Sequence, residues 1–270
     1  MRKATRIALT AIAVLSAAIG IYSIFMVIKE NRENKEDIKA FDDLYESVVI
    51  NNTSNKELVD AVTPNEITVP EGATDAEKTS YTLVDLDLLR QKNPDCVGWI
   101  QIADTVINYP VMHTPSEPSR YLYKNFYLRE SRAGVPFLEG GCRLDGDNVI
   151  IYAHNMLNGT MFAQLKKYLD YGYIEKNSSV YMQTEEGLLV YEIFAVCHIK
   201  NNDVWYSYRV ESEEADFNYL IGHLIENADY STKNIPSFGD RLITLSTCHG
   251  KSDDDRLVVV GKLIEIKELS

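Results

Sequence analysis

The chain has 270 residues, of which 45% are hydrophobic and 25% charged, a composition typical of a folded protein rather than a disordered or collagen-like one. Its 27 basic and 40 acidic residues give a formal net charge of −13. Nucleic-acid binding depends on a basic surface, so the charge argues against a nucleic-acid partner.

The N-terminal segment has the features of a membrane-spanning helix. Residues 7–28 carry no charged side chain, and a helix of that length, at about 1.5 Å per residue, crosses the hydrocarbon core of a bilayer. Arg2, Lys3 and Arg6 precede the apolar run, which predicts a cytoplasmic tail at residues 1–6 and an extracellular remainder. The alternative is a cleaved signal peptide, whose apolar region is usually only about 7–15 residues long. We therefore expect an uncleaved anchor in a single-pass protein of the cell membrane.

The next segment, residues 29–80, is predicted to be an extracellular helix followed by a linker. From Ile38 to Val49, apolar side chains recur at steps of three and four residues, which is typical of an amphipathic helix. Residues 51–80 hold two prolines and few large apolar side chains, with no period. The compact domain is therefore expected to span residues 81–270.

From residue 81 onward, the pattern predicts a β-rich domain with inserted helices. A short helix is expected at residues 85–91, another at 160–169, and a longer one at 212–227 behind a Ser212 cap. No βαβ alternation occurs, so the fold class is mainly β with helices, of the mixed β-barrel type, rather than a doubly wound sheet. The predicted strands are residues 97–102, 105–111, 134–138, 148–153, 188–199, 241–248 and 256–266.

The last two predicted strands can form a hairpin that carries a reactive pair. Strand alternation puts Ser246 and Cys248 on one face. If residues 249–255 close the turn, one register sets Cys248 opposite Arg256, and a shift of one residue would separate them. A fixed guanidinium favours a thiolate nucleophile and can stabilise an oxyanion. The alternatives are a cysteine that is simply buried and an arginine that is a surface charge beside Asp253–Asp255.

The other three cysteines, Cys96, Cys142 and Cys197, show no metal-binding pattern. No CxxC pair and no Cys/His spacing of the zinc type occurs in the chain. We therefore expect no metal and no cofactor, and the spacing leaves the disulfide state open.

A thiolate enzyme also needs a general acid or base. His154 ends the predicted strand 148–153 and opens a loop, where a rigid scaffold meets solvent and catalytic residues often lie. His249 follows Cys248 directly, but neighbouring strand residues point to opposite faces. Position alone favours His154 and leaves His249 as the weaker alternative. The remaining candidates are His113, His198 and His223.

Two separated segments resemble those of a known family. Residues 152–156 (YAHNM) and 158–162 (NGTMF) resemble the histidine segment of sortases, and residues 244–248 (TLSTC), with Arg256 downstream, resemble their cysteine segment. The resemblance is specific to class B and runs from about Leu83 to Ile266. The sequence departs from the family pattern at Ala153, where glycine is common, and at His249, where class B members often carry an acidic residue.

The resemblance implies a sortase-type eight-stranded β-barrel with N-terminal helices packed against it and a long helix before the cysteine strand. It implies that Cys248 is the nucleophile, His154 the general acid and base, and Arg256 the residue that binds substrate and stabilises the oxyanion. It also implies substrate-binding roles for Tyr152, Ser246, Thr247 and Trp205.

The implied activity is cysteine transpeptidation on the outer face of a Gram-positive membrane. A secreted protein presents a C-terminal sorting motif resembling Asn-Pro-x-Thr-x, is cleaved after the threonine through a thioester, and is joined to an amine of a cell-wall precursor peptide. The thioester keeps the energy of the first peptide bond, so no nucleotide is needed. The alternatives are a pilus-polymerising sortase that uses a lysine amine and a non-catalytic β-barrel that binds the wall.

Overall fold

The computed structural model describes residues 2–50, 81–209, 213–250 and 252–269, with side chains described from residue 14. The predicted linker at 51–80 and the predicted Ser212 cap lie outside the described residues. The described strands are β1 Cys96–Gln101, β2 Asn108–Met112, β3 Phe137–Leu138, β4 Asn148–Tyr152, β5 Ser179–Thr184, β6 Gly187–Lys200, β7 Ala228–Ser231, β8 Leu242–Cys248 and β9 Asp255–Lys267.

Eight of these strands close into a barrel. Their order around the ring is β5, β1, β2, β3, β4, β8, β9 and β6, and β6 pairs back with β5. Strand β7 pairs with β6 outside the ring. The interior is filled by apolar side chains such as Trp99, Ile151, Ile193 and Leu245, none more than 1% exposed. The predicted eight-stranded barrel is confirmed.

All seven predicted segments contain strands, and two strands were not predicted. Strand β5 was missed because polar Gln183 interrupts its apolar pattern. In the structure Gln183 is buried: its Oε1 accepts from the Val84 N–H at 2.9 Å, and its Nε2 donates to the Val84 carbonyl at 2.8 Å. A buried amide with both of its groups satisfied fits a strand interior. Strand β7 is only four residues long and contains Asp229, so it gives almost no signal.

The helices lie on the surface of the barrel. They are α1 Arg2–Val48, α2 Leu86–Lys92, α3 Tyr171–Ile174 and α4 Glu214–Glu226, with 3-10 turns at Arg120–Leu122, Phe162–Leu169 and Val204–Ser207. Helix α2 begins where the Asp85 carboxylate accepts the Leu88 N–H at 2.8 Å, an N-cap. Helix α4 precedes the cysteine strand as expected and buries Phe217, Leu220, Ile221 and Leu224. Its N-cap position is Glu213, whose side chain makes no capping bond.

The predicted span and the predicted amphipathic helix form one continuous helix, α1. Its described apolar side chains up to Ile28 are exposed, and the helix is long and apolar enough to cross a membrane. Farther along, Phe41, Leu44 and Val48 are buried in the same core as the barrel strands. Tyr45 also stacks on Trp99 at 5.9 Å between ring centroids. Helix α1 therefore runs without interruption from the apolar segment into the core.

We expect residues 30–270 to be soluble, folded and active on free peptide, because the exposed apolar part of α1 ends at Ile28. In this fragment Leu44→Ala should lower the free energy of unfolding by about 2–5 kcal/mol, because Leu44 is fully buried. The matched control is Lys39→Ala on the exposed face of the same helix, with an expected change within about 0.5 kcal/mol. Urea denaturation measures both, and equal effects would show that α1 does not pack on the barrel in solution.

Candidate active site

The histidine and the cysteine predicted to act together lie at the same end of the barrel. Strands β4 and β8 are parallel neighbours, with Tyr152 paired to Ser246. His154 and Cys248 each follow their paired residue by two positions. Because parallel strands end at the same edge, this register carries both side chains to one rim of the barrel.

Cys248 also faces Arg256, as the predicted hairpin register requires. Strands β8 and β9 are antiparallel, and Cys248 is paired with Arg256. At the next position the His249 N–H donates to the Asp255 carbonyl at 3.1 Å. Hydrogen-bonded and non-hydrogen-bonded pairs alternate along such a ladder, so the Cys248–Arg256 pair is of the non-hydrogen-bonded type, in which side chains lie closest. The predicted register is confirmed.

One cleft of about 470 Å³ collects these side chains. Cys248, His154 and Arg256 all line it, together with the predicted substrate contacts Tyr152, Ser246 and Thr247. The wall also includes residues for which no role was predicted: Leu122, Tyr123, Glu139, Asn201 and Tyr206.

Cys248 differs from the other cysteines in its exposure. It is the exposed one, whereas Cys96, Cys142 and Cys197 are buried, and all four are free thiols. Burial raises the pKa of the Cys96 thiol to about 12 and that of Cys142 to about 11, and it also raises the pKa of Cys197. These three thiols therefore stay protonated and unreactive at neutral pH.

The His154 ring is held by one hydrogen bond and one ring contact. Its Nε2 lies 2.8 Å from the Leu122 carbonyl oxygen, and its ring centroid is 5.3 Å from that of Tyr123. A carbonyl oxygen can only accept, so Nε2 carries the proton and Nδ1 is the nitrogen left to exchange a proton in the cleft.

The histidine loop and the end of the cysteine strand are tied together by two further bonds. Asn155 Nδ2 donates to the Cys248 carbonyl at 2.9 Å. Thr247 Oγ1 donates to the Ala153 carbonyl at 2.8 Å, so its hydroxyl hydrogen is engaged in support of the site. Asn155 is a positioning residue that was not among the predicted site residues, although its place directly after His154 was a signal for it.

Arg256 is oriented by backbone oxygens. Its Nη1 donates to the carbonyls of Asp253 at 2.5 Å and Asp255 at 3.0 Å. The carboxylates of the acidic run bind elsewhere: that of Asp255 pairs with Lys200, and that of Asp254 accepts from Asn201. No ion pair of Arg256 is seen among the described residues. Because one Nη anchors the fork, its remaining N–H groups are left for a ligand in the cleft.

Tyr206 completes the wall beside the two predicted contacts. Its hydroxyl lies 2.8 Å from Ser246 Oγ, and its ring centroid is 5.9 Å from that of Tyr152. Burial raises the pKa of Tyr206 to about 12, so the phenol stays neutral and keeps a hydrogen to donate at neutral pH.

Trp205 does not lie in the cleft, in contrast to the predicted substrate contact. Its side chain is fully buried, and its Nε1 donates to Thr244 Oγ1 at 3.1 Å. Thr244 in turn donates to Asn148 Oδ1 at 2.9 Å. The indole therefore supports the β4–β8 pair from inside the protein, and the adjacent Tyr206 reaches the cleft instead.

His249 points away from the cleft into a separate pocket. Its Nδ1 lies 3.1 Å from His198 Nε2, and His198 Nδ1 lies 2.7 Å from an Asp229 carboxylate oxygen. Burial, with smaller contributions from His198 and Lys166, lowers the pKa of His249. The ring is thus engaged on β6 and β7, on the opposite face to Cys248.

Comparison with known proteins gives a consistent result. A family model described as "Sortase domain" matches residues 100–264. Sortase B of Listeria monocytogenes is 36% identical over 182 residues, covering 65% of this chain and 72% of that protein. Sortase B of Staphylococcus aureus is 27% identical over 182 residues, covering 66% and 74%.

Solved structures show the same relation. A crystal structure of a mutant form of Clostridium perfringens sortase B matches with a TM-score of 0.62 and 29% identity, covering 67% of this chain and 86% of that one. A Staphylococcus aureus sortase B–substrate complex matches with a TM-score of 0.62 and 26% identity, covering 67% and 85%.

Proposed function

The chain belongs to the sortase family and is a class B sortase, a cysteine transpeptidase of cell-wall sorting, and from this premise we propose which residues carry the reaction and on what they act. Cys248 is the nucleophile, His154 the general acid and base, and Arg256 the group that holds the substrate carbonyl. The observation that supports this assignment is the single cleft that all three side chains line.

In the first half of the reaction a sorting motif resembling Asn-Pro-x-Thr-x enters the cleft. The Cys248 thiolate attacks the threonine carbonyl carbon, and the carbonyl oxygen becomes an oxyanion. When the C–N bond breaks, the departing amine takes the proton from His154 Nδ1, and a thioester remains on Cys248. The bond from Nε2 to the Leu122 carbonyl keeps the ring oriented during the transfer.

In the second half an amine of a cell-wall precursor peptide attacks the thioester carbonyl. His154 Nδ1 accepts a proton from that amine, the C–S bond breaks, and the Cys248 thiolate is restored. The products are a new amide and an enzyme in its starting state, so no external energy source is consumed. A complex of Staphylococcus aureus sortase B with a Gly-containing peptide supports an amino-terminal glycine as the attacking group.

Arg256→Lys tests whether the fork geometry of the guanidinium matters. Lysine keeps the positive charge but loses the planar set of donors that the loop carbonyls of Asp253 and Asp255 orient. We expect kcat/KM to fall by about 10²–10³-fold, comparable to the loss of an oxyanion donor. The measurement is kcat/KM against pH for the wild type, Arg256→Lys and Arg256→Ala.

The matched control is Arg143→Lys, at an exposed arginine outside the cleft, for which no change is expected. If Arg256 acts through its charge alone, the lysine variant should keep near-normal rates and shift only the pH profile. A lysine variant within about threefold of wild type at every pH would retire the hydrogen-bonding role.

Substrate and acceptor are tested together by mass spectrometry of residues 30–270 incubated with a panel of sorting peptides. The expected result is a mass gain on Cys248 equal to the peptide up to its threonine, removed by a glycine peptide amine. Removal by a lysine amine alone would make the protein a pilus-polymerising enzyme. No covalent peptide with any member of the panel would contradict the proposed reaction.

We also propose a single-pass location in the cell membrane, with residues 1–6 cytoplasmic, 7–28 spanning, 29–80 an extracellular helix and linker, and 81–270 the catalytic domain. The exposed apolar side chains that end at Ile28 and the basic residues before the span support this topology. In intact cells, protease added outside should degrade the catalytic domain and leave the N-terminal tail.

A further inference from the structure

The loop of residues 123–132, called the interface loop below, lies beside the point where α1 leaves its apolar segment. Arg132 Nη1 is 3.1 Å from Glu30 Oε1, and Ser131 Oγ donates to Asp37 Oδ2 at 2.7 Å. Glu30 follows Ile28, the last of the exposed apolar residues, by two positions, or about 3 Å along the helix. The loop is therefore fixed to α1 at the level of the proposed membrane surface.

The interface loop exposes large side chains. Tyr123 is 57% exposed, Tyr127 44% and Leu128 48%. Leu128 has a φ of 61°, a left-handed conformation that is unfavourable for a large branched residue. Asn125 Oδ1 holds this shape by accepting the N–H groups of Tyr127 at 3.0 Å and Arg129 at 3.1 Å. The loop thus presents an aromatic and an aliphatic side chain on a braced backbone.

The interface loop is also basic in an acidic protein. It carries Lys124, Arg129 and Arg132 against one acid, Glu130, whereas the chain as a whole has a net charge of −13. Arg132 is paired with Glu30. In the part of the chain that the structure describes, Lys124 and Arg129 form no ion pair. Two basic groups are therefore available to an anionic partner.

We propose that the interface loop is a second membrane contact, which docks on the anionic phospholipid headgroups of the bilayer that α1 spans. Tyr127 and Leu128 enter the interfacial region, where amphipathic aromatic side chains are favoured, and Lys124 and Arg129 face the lipid phosphates. The contact continues the surface by which α1 reaches the membrane, and this inference rests on the proposed membrane location.

The interface loop is connected to the active site. Leu122 and Tyr123 line the catalytic cleft, and the Leu122 carbonyl is the acceptor for His154 Nε2. Docking on lipid therefore holds the cleft wall and the histidine at a defined height above the membrane.

The test uses the full chain in vesicles of phosphatidylglycerol and phosphatidylcholine that carry a lipid-bound quencher near the headgroups. In a Cys248→Ala background, which removes the exposed native thiol, a fluorophore is attached at Tyr127→Cys. A second label at Ile21→Cys reports insertion of α1, and a third at Tyr219→Cys lies on α4, which packs on β6 and β7. We expect the Tyr127→Cys label to be quenched at least threefold more than the Tyr219→Cys label.

Adding Lys124→Gln and Arg129→Gln should reduce quenching of the Tyr127→Cys label by half or more. The charge-matched control, Lys176→Gln with Lys233→Gln, should leave it unchanged. Equal quenching at Tyr127→Cys and Tyr219→Cys, with the Ile21→Cys label quenched, would overturn the proposal. An Ile21→Cys label that is not quenched would overturn the membrane location and the loop contact together.

The alternative occupant is a soluble polyanion. A Tyr127→Cys label that responds to inorganic polyphosphate but not to phosphatidylglycerol vesicles would assign the basic surface to that class and overturn the membrane contact. Because thioester capture is measured separately on residues 30–270, a negative result here leaves the proposed reaction standing, and a negative capture result leaves the membrane contact testable.

Discussion

Replacing Cys248 with alanine is expected to abolish turnover, lowering kcat by about 10⁴-fold or more, and to leave the fold intact. Cys248 is exposed at the end of β8, so loss of its sulfur creates no cavity in the core. Removing a nucleophile from a group of residues that act as a unit costs nearly the whole effect of that group. Hydrolysis and transfer of a quenched fluorescent sorting peptide measure the loss, and circular dichroism checks the fold.

The matched controls are Cys96→Ala, Cys142→Ala and Cys197→Ala. Burial keeps these three thiols protonated, so their replacement should cost stability rather than chemistry. If any one of them abolished turnover while the protein stayed folded, the assignment of the nucleophile would be wrong.

His154→Asn should reduce kcat by about 10²–10⁴-fold, the range for loss of a positioned acid and base. Asparagine keeps a polar group in the cleft but cannot exchange a proton near neutral pH. His154→Gln makes the test sharper, because its longer side chain can still donate to the Leu122 carbonyl that accepts from Nε2. Loss of activity in both variants would show that proton transfer, and not ring orientation alone, is needed.

The control for the histidine is His249→Ala. His249 bonds to His198 in a separate pocket, so we expect at most a several-fold effect on kcat. A larger loss in folded His249→Ala than in His154→Asn would transfer the acid and base role to His249.

The sequence was sufficient for the parts of the site that depend on short-range order. Strand alternation and one hairpin register placed Cys248 opposite Arg256, and the structure has that pairing. The relation between His154 and Cys248 needed more, because it depends on β4 lying beside β8 across 94 residues of chain. Only the family resemblance supplied that pairing in advance.

What sequence reasoning missed was decided by burial. Trp205 and Tyr206 are neighbours in a 3-10 turn that begins where the Asp203 carboxylate accepts the Trp205 N–H at 2.9 Å. The phase of that turn sends the indole into the core and the phenol into the cleft. No local pattern states this phase, since either aromatic residue could occupy a groove. In the same way, nothing local predicted that α1 would continue unbroken from the span into the core.

The position of β9 has a consequence for how the protein is made. This strand lies between β8 and β6, although it follows both in the chain. As the polypeptide is delivered N-terminus first, β6 and β8 keep unpaired edges until residues 255–267 arrive. Such edges are sites for aggregation, and folds dominated by distant pairings form slowly. Arg256 lies in that same strand, so the chain cannot become an active acyl transferase before the barrel is able to close.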